Sequence, residues 1–391
     1  MIATAGNRGE NVRSDCFVKL EITNSGGRNI HLNSKVKNLY GKKILQLVND
    51  ILNFYEIKNC NLEIDDTGAL DFVIAARIEA AIKKIIQTTK DFLLPFNENN
   101  KYSTEKERFR LTRLYLPGNT PKLMLNAGIH KPDGVILDLE DSVAPDKKFE
   151  ARILVRNALR SIDFMGAERM VRINQGEQGL QDLETVVPHY VNMILIPKTE
   201  SAEQIKQVEA KINQIKRDYD YPIWFMPIIE SAKGVENAYE IATASEYVAS
   251  IAIGLEDLTA DLGVQRTLEG TETFWQRMRI VNAAKAAGIQ PIDSVFSDVQ
   301  DMEGLRETVL KSKSLGFEGM GVIHPRQIPV IVKAFAPTDE ELEKARKIVN
   351  AFNEAKEKGL GVVALGSKMI DPPVVKRAFN TIKLAELTKK I

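Results

Sequence analysis

The hydrophobic positions fall into two blocks with different rhythms. In the first, Phe17 is followed by Val18, Leu20 and Ile22 alternating with polar residues, the period of a half-buried strand. Ile44, Leu47, Val48, Ile51, Leu52 and Tyr55 then recur at helical spacing over 42–55. A second alternation covers 61–65, and Asp65-Asp66-Thr67-Gly68 reads as a turn. Ile74, Ile78, Ala81, Ile82 and Ile85 predict a helix over 73–86 with one apolar stripe. Residues 1–94 therefore read as a small α+β domain. Residues 95–107, PFNENNKYSTEKE, are nearly free of apolar side chains and read as a linker.

The second block alternates short apolar runs with helical patterns. Strands are expected at 111–116, 134–139, 170–173, 193–196, 223–229, 248–253, 291–294 and 320–323. Helices are expected between them, at 202–219, 234–244, 271–287 and 302–315 among others. Such interleaving predicts an α/β fold, a (β/α)8 TIM barrel over 108–337. A doubly wound sheet is the alternative, but no glycine-rich phosphate loop follows the first strand. Residues 338–391 read as a C-terminal helical extension.

At 391 residues, with 44% apolar and 27% charged side chains, the chain has material for a large core. Acidic and basic residues balance at 53 each, which argues against nucleic-acid or membrane-surface partners. Two cysteines, Cys16 and Cys60, exclude a disulfide framework. The polar start and the lack of any apolar run near the ~18 residues that span a bilayer predict a cytoplasmic protein.

A barrel builds its site at the C-terminal ends of its strands, so the polar residues there are the candidates. They include Asp138, Glu140 and Asp141, Arg172, Lys198, Glu230, Asp257, Asp293 and His324. Glu230 and Asp257 follow consecutive strands, and two carboxylates with open positions suit Mg2+. The plainer alternative makes each a cap on the following helix. Arg172, inside an apolar strand, needs an anion: a substrate carboxylate held in a fork, or Asp138 or Glu140 in an ion pair. Asp371 lies past the barrel, where a turn or helix cap is the plain reading.

Taken in order, Leu114-Tyr115-Leu116-Pro117-Gly118-Asn119, Leu137-Asp138-Leu139-Glu140-Asp141-Ser142-Val143, Val171-Arg172-Ile173-Asn174, Leu195-Ile196-Pro197-Lys198, Ile229-Glu230-Ser231-Ala232-Lys233-Gly234, Gly254-Leu255-Glu256-Asp257 and Ile323-His324-Pro325-Arg326-Gln327-Ile328 resemble the citrate lyase beta subunit. That subunit belongs to the HpcH–HpaI aldolase family, with the malyl-CoA and citramalyl-CoA lyases. The resemblance implies Mg2+ on Glu230 and Asp257 and a keto-acid carboxylate on Arg172, with Asp138, Glu140, Asp141 and Lys198 behind them. It also implies that Asp371, in the tail segment Gly366-Ser367-Lys368-Met369-Ile370-Asp371, reaches a neighbouring subunit's site as acid or base. A homo-oligomer, typically a trimer, follows from that.

In the first block, Asp65-Asp66-Thr67-Gly68-Ala69-Leu70-Asp71 and Ala76-Arg77-Ile78-Glu79-Ala80 resemble the citrate lyase gamma subunit, an acyl carrier. That resemblance implies a phosphoribosyl-dephospho-CoA group on a serine, here Ser14, and a citrate lyase alpha (transferase) subunit as partner. The carrier's serine is followed by one residue and then Asp, whereas Ser14 abuts Asp15. With Asp15 as the fixed point, Arg13 takes the serine's place.

The expected reaction is Mg2+-dependent cleavage of a citryl-type 3-hydroxyacyl thioester to oxaloacetate and an acetyl thioester. Three alternatives stay open. They are a malyl-CoA or citramalyl-CoA lyase with an inert carrier-like block, an inactive carrier or scaffold, and a Mg2+ phosphotransferase barrel. The full set of rim residues argues against the second, and the third would need a phosphohistidine domain that the sequence lacks.

Overall fold

The computed structural model describes residues 1–357, 363–365 and 368–388. Gly366 and Ser367 of the tail segment lie outside them. The chain opens with strands β1 (Ile2–Gly6), β2 (Cys16–Ile22), β3 (Arg28–Ser34) and β4 (Cys60–Asp66), and helices α1 (Lys37–Phe54) and α2 (Asp71–Lys83). The sheet order is β1-β2-β4-β3, with β3 and β4 parallel and the other pairs antiparallel. The pattern reading found the two central strands and missed β1 and β3. Those are the edges, where a strand faces one partner and needs fewer apolar residues.

Eight parallel strands follow: β5 (Thr112–Pro117), β6 (Gly134–Asp138), β7 (Glu168–Arg172), β8 (Met193–Ile196), β9 (Trp224–Ile229), β10 (Ser250–Ile253), β11 (Gln290–Ile292) and β12 (Met320–Val322). β12 pairs back onto β5, and a bridge from Asp293 to Met320 closes the ring. Strands such as β6 and β8 are buried along their whole length, lying between the barrel interior and the outer helices. The helices are α3 (Pro121–Met124), α4 (Lys148–Ser161), α5 (Gly176–Val186), α6 (Ala202–Gln214), α7 (Ala232–Glu236), α8 (Ala238–Ala242), α9 (Leu255–Leu262), α10 (Phe274–Ala287), α11 (Met302–Leu315) and α12 (Gln327–Phe335). Two helical expectations change: 202–219 stops at Gln214, and 234–244 breaks at Asn237, whose side chain donates to the Glu200 carbonyl at 2.8 Å.

The single stripe expected on α2 is instead burial on all sides, from Phe72 to Ile82. One face packs on β1 and β2, and the other on α4 of the barrel. Two charged residues of α2 become fully buried there. Arg77 donates to Asp15 at 2.9 and 3.0 Å and to Asn119 Oδ1 at 2.7 Å, with Glu150 at 3.5 Å. Arg156 of α4 grips Glu79 with two bonds of 2.7 and 2.9 Å. Arg156→Ala strands the Glu79 carboxylate in the interface, with Lys83 at 3.1 Å as its remaining counter-ion. It should lower unfolding stability by about 3 kcal/mol and speed proteolysis within 1–94, read by urea titration and limited digestion.

The polar stretch 95–107 runs along the barrel, pinned by its polar side chains. Buried Asn100 donates to the Leu159 and Ile162 carbonyls at 2.9 and 2.7 Å, and Thr104 donates to Glu168 at 2.7 Å. Beyond the barrel, α13 (Asp339–Glu357) and α14 (Pro372–Leu387) pack around Ile348, Val349, Val375 and Ala378, joined through the hairpin β13 (Val363–Leu365) and β14 (Lys368–Ile370). No helix among the described residues is long and apolar enough to cross a membrane.

Candidate active site

The strand ends open on a cleft of ≈ 370 Å³ whose lining includes Arg113, Tyr115, Asp138, Arg172, Glu230 and Asp257. Glu230 follows β9 and is buried. Its Oε1 accepts the Lys198 backbone N–H at 2.8 Å, which Lys198 presents from a left-handed conformation at φ 45°. That backbone strain in a non-glycine residue is the kind found where a site must be aimed. Beside Oε2 lies Gly254, where a Cβ would sit 2.6 Å away, so glycine makes the room for this carboxylate. Burial pushes the Glu230 carboxyl up to about 7; Asp257 adds to the rise, and the Lys198 N–H opposes it.

Asp257 sits in the first turn of α9 and is half-exposed. The Lys198 ammonium lies 3.6 Å from it, 3.8 Å from Glu140 and 4.0 Å from Asp141. Burial opposes its charge, but Asp141, Asp257, Glu140 and Glu230 together raise its pKa.

Parallel register places Asp138 opposite Arg172. The guanidinium forms two parallel bonds to it, Nε–Oδ1 at 2.6 Å and Nη2–Oδ2 at 2.8 Å, and Nη1 lies 3.2 Å from Glu140. Although buried, Asp138 is held below the ordinary carboxyl range by Arg172. Arg172 thus makes the ion pair that the sequence reading held as the alternative. Its Nε–Nη2 edge is taken by Asp138, and Nη1 faces Glu140.

Other expected residues have different company. Asp293 is taken up by Arg277 and by the Ser312 hydroxyl at 2.7 Å. Asp371 is an exposed N-cap of α14, its Oδ1 accepting the Val374 N–H at 3.2 Å, and it is not among the residues lining the cleft of its own chain. Ser14 is half-buried at φ 56°, its N–H bonded to the Thr67 carbonyl, while Asp15 beside it is locked to Arg77.

No three His, Cys, Asp or Glu side chains converge on one point among the described residues. A cation at Glu230 and Asp257 would have two carboxylate ligands and complete its shell with water and substrate, as Mg2+ does. Glu230 Oε2 accepts no hydrogen bond from the described residues, so this oxygen is free to bind a cation that offsets the carboxylate's desolvation. The donor set therefore fits a hard divalent ion.

Two cleft residues went unread in the sequence, Arg113 and Tyr115. The signal was present for Arg113, because an Arg inside an apolar strand calls for an anion, the same logic that singled out Arg172. Tyr115 stacks under Arg172, 5.4 Å from ring centre to guanidinium carbon.

The sequence model of the HpcH/HpaI aldolase/citrate lyase family matches residues 111–325, and that of the acyl-carrier family described as malonate decarboxylase delta subunit matches 4–85. Citrate lyase subunit beta of Leuconostoc mesenteroides subsp. cremoris is 40% identical over 285 residues, 71% of this chain and 94% of that protein. The mitochondrial citramalyl-CoA lyase of Homo sapiens is 34% identical over 71% of this chain and 86% of its own. Protein CitE of Mycobacterium tuberculosis, solved with magnesium, acetoacetate and coenzyme A, superposes at TM-score 0.59 with 30% identity, covering 72% of this chain and all of that one. The citrate lyase beta subunit from the same organism, with oxaloacetate and magnesium, gives 0.51 at 32% identity over 59% of this chain and 99% of that one. The chain belongs to the HpcH/HpaI aldolase/citrate lyase family of carbon–carbon lyases.

Proposed function

We propose that the cleft cleaves a citryl-type 3-hydroxyacyl thioester to oxaloacetate and an acetyl thioester, with Mg2+ held by Glu230 and Asp257. The observation that carries this reading is Glu230, a buried carboxylate with one oxygen fixed by Lys198 and the other free beside Asp257's position on the rim. Magnesium and oxaloacetate occur together in the M. tuberculosis relative, which supports it. Mg2+ would supply Lewis-acid stabilisation of the oxygen that becomes the keto group. Arg172 holds the adjacent carboxylate with its remaining N–H groups, and Asp138 and Glu140 keep the guanidinium in place. The substrate hydroxyl gives its proton to water in the open cleft, its oxygen becomes the keto group, and the electron pair of the broken carbon–carbon bond leaves on the thioester enolate. Asp371, reaching in from a neighbouring copy in a trimer, delivers a proton to that enolate carbon. The thioester is carried on a phosphoribosyl-dephospho-CoA arm on Ser14, loaded by an alpha (transferase) subunit.

A second reading is cleavage of a CoA thioester with the first block as a fixed buttress. The buried pairs of Arg77 and Glu79 favour it, since they tie the carrier-like block to the barrel. Turnover of citryl-, malyl- and citramalyl-CoA by the purified chain with Mg2+ tests the reaction, and preference for either smaller substrate overturns the citryl assignment. Intact mass from the native host tests the arm. A mass equal to the bare chain favours the second reading.

Arg172→Lys should lower kcat/KM nearly as far as Arg172→Ala, by about a hundredfold or more, because Lys cannot grip Asp138 at two points and still present a flat edge. Normal turnover by the Lys variant would make Arg172 a structural ion-pair residue.

The Glu230 carboxyl sets the pH response. Below about 7 it holds a proton that Mg2+ must displace. Mg2+ affinity should fall about tenfold per pH unit below that value and level off above it. Between the ordinary carboxyl value and about 7, the folded metal-free chain binds a proton that the unfolded chain has lost. Its stability should therefore fall as pH rises through that window. Melting curves with chelator and with Mg2+, from pH 5 to 8, read both effects.

A further inference from the structure

A second cation stands at the floor of the cleft. Arg113 extends from β5 into the barrel interior, two residues below Tyr115 on the same strand face, and is 2% exposed. Its Nη1 meets the Met226 sulfur at 3.2 Å, and its Nε has no hydrogen-bond partner among the described residues. The two acids nearest in electrostatic influence after Tyr115 and Arg110 are already engaged. Glu168 is held by Arg110 at 2.7 Å and by Thr104, and Asp133 by the Thr112 N–H and hydroxyl at 2.9 Å. Around Arg113 the interior is apolar, with Met170, Met193, Met226 and Ile228. Ser250, on the same strand face as cleft-lining Ala252, adds a second buried polar atom without a partner. Burial lowers the guanidinium pKa to about 10, so it keeps its charge at neutral pH. A buried cation without a counter-ion in such surroundings is destabilising unless an anion completes it.

We propose that Arg113 binds a second carboxylate of the substrate, and so selects a citryl-type substrate over malyl and citramalyl. This rests on the thioester-lyase reading above. The three substrates share a hydroxyl, an adjacent carboxylate and a thioester arm. They differ in the remaining group on the carbinol carbon, which is –CH2–COO−, hydrogen or methyl. Arg172 and the metal hold the shared groups at the rim, and the remaining group descends to the floor. Only –CH2–COO− brings an anion to Arg113. Hydrogen or methyl leaves its charge unmatched, and a buried polar group left unpaired is a strong basis for rejection.

The test compares wild type, Arg113→Met and Arg113→Gln, each with Mg2+. Met matches the neighbouring side chains, and Gln keeps polarity without charge. Binding of oxaloacetate and pyruvate is measured by calorimetry, and kcat/KM for citryl-CoA and citramalyl-CoA by product release. Wild type should prefer the two-carboxylate ligand by about a hundredfold, and both variants should bring that ratio to within a few fold of one. A wild-type preference that persists in either folded variant overturns the role of Arg113 and leaves the citryl reading standing. An absent wild-type preference overturns both. Should neither variant fold, a crystal structure of the wild-type chain with oxaloacetate and Mg2+ decides. The distal carboxylate within hydrogen-bond distance of Arg113 supports the proposal, and its placement elsewhere overturns it.

Discussion

Glu230→Gln should reduce Mg2+-dependent turnover by about a thousandfold or more while the chain folds as before. The amide can still accept the Lys198 N–H through its oxygen and fits the space that Gly254 leaves. It cannot supply the negative charge that a cation with two protein carboxylates requires. Several kcal/mol of transition-state stabilisation are lost with the metal, and each 1.36 kcal/mol is about tenfold in rate. The substitution also removes a carboxyl that burial has pushed up to about 7, so the metal-free variant should be no less stable than wild type at pH 8. Asp257→Asn should weaken Mg2+ binding as well, with a smaller effect on stability because Asp257 is half-exposed. Mg2+ titration, turnover and melting curves on the same preparations separate these outcomes. Full wild-type activity in excess chelator would end the metal reading.

Asp371→Asn should abolish turnover while fold, Mg2+ affinity and keto-acid binding remain. Among the described residues of its own chain it caps α14 through Val374, and Asn is an equally good N-cap. Structural loss therefore cannot explain a dead variant. Its exposed position outside its own cleft fits a role played in another copy. Co-expressed Asp371→Asn and Glu230→Gln chains should then regenerate mixed sites, one chain giving the metal ligand and the other the acid. Activity of the co-expressed oligomer no higher than that of its parents would show that Asp371 serves its own chain or does no chemistry.

Local pattern was enough for the barrel strands and their order. Met193–Ile196 is a continuous apolar run because both its faces are buried, and Met302–Leu315 carries its apolar residues at helical spacing. That Glu230 and Asp257 line the cleft was legible too, since both follow apolar strands and strand ends face the mouth of a barrel. Edge strands β1 and β3 were not legible, because their hydrogen bonds come from β2 and β4 rather than from any pattern of their own.

What the charged residues bind was decided by tertiary structure. Arg172 meets Asp138 because the β6–β7 register sets them opposite each other, and register between parallel strands joined by a long crossover leaves no local mark. Arg77, Glu79 and Arg156 sit at ordinary helical positions in sequence, and become buried ion pairs only when α2 docks on α4. Arg113 has no ion-pair partner among the described residues because ring closure surrounds it with methionines while Arg110 and Thr112 take the nearby carboxylates. The sequence by itself determined the alternation of strand and helix and the acids at the strand ends, because periods of 2 and 3.6 residues are local properties of the backbone. Only the tertiary structure decided which charges are paired and which are left for a ligand, because pairing depends on register, closure and docking between residues far apart in the chain.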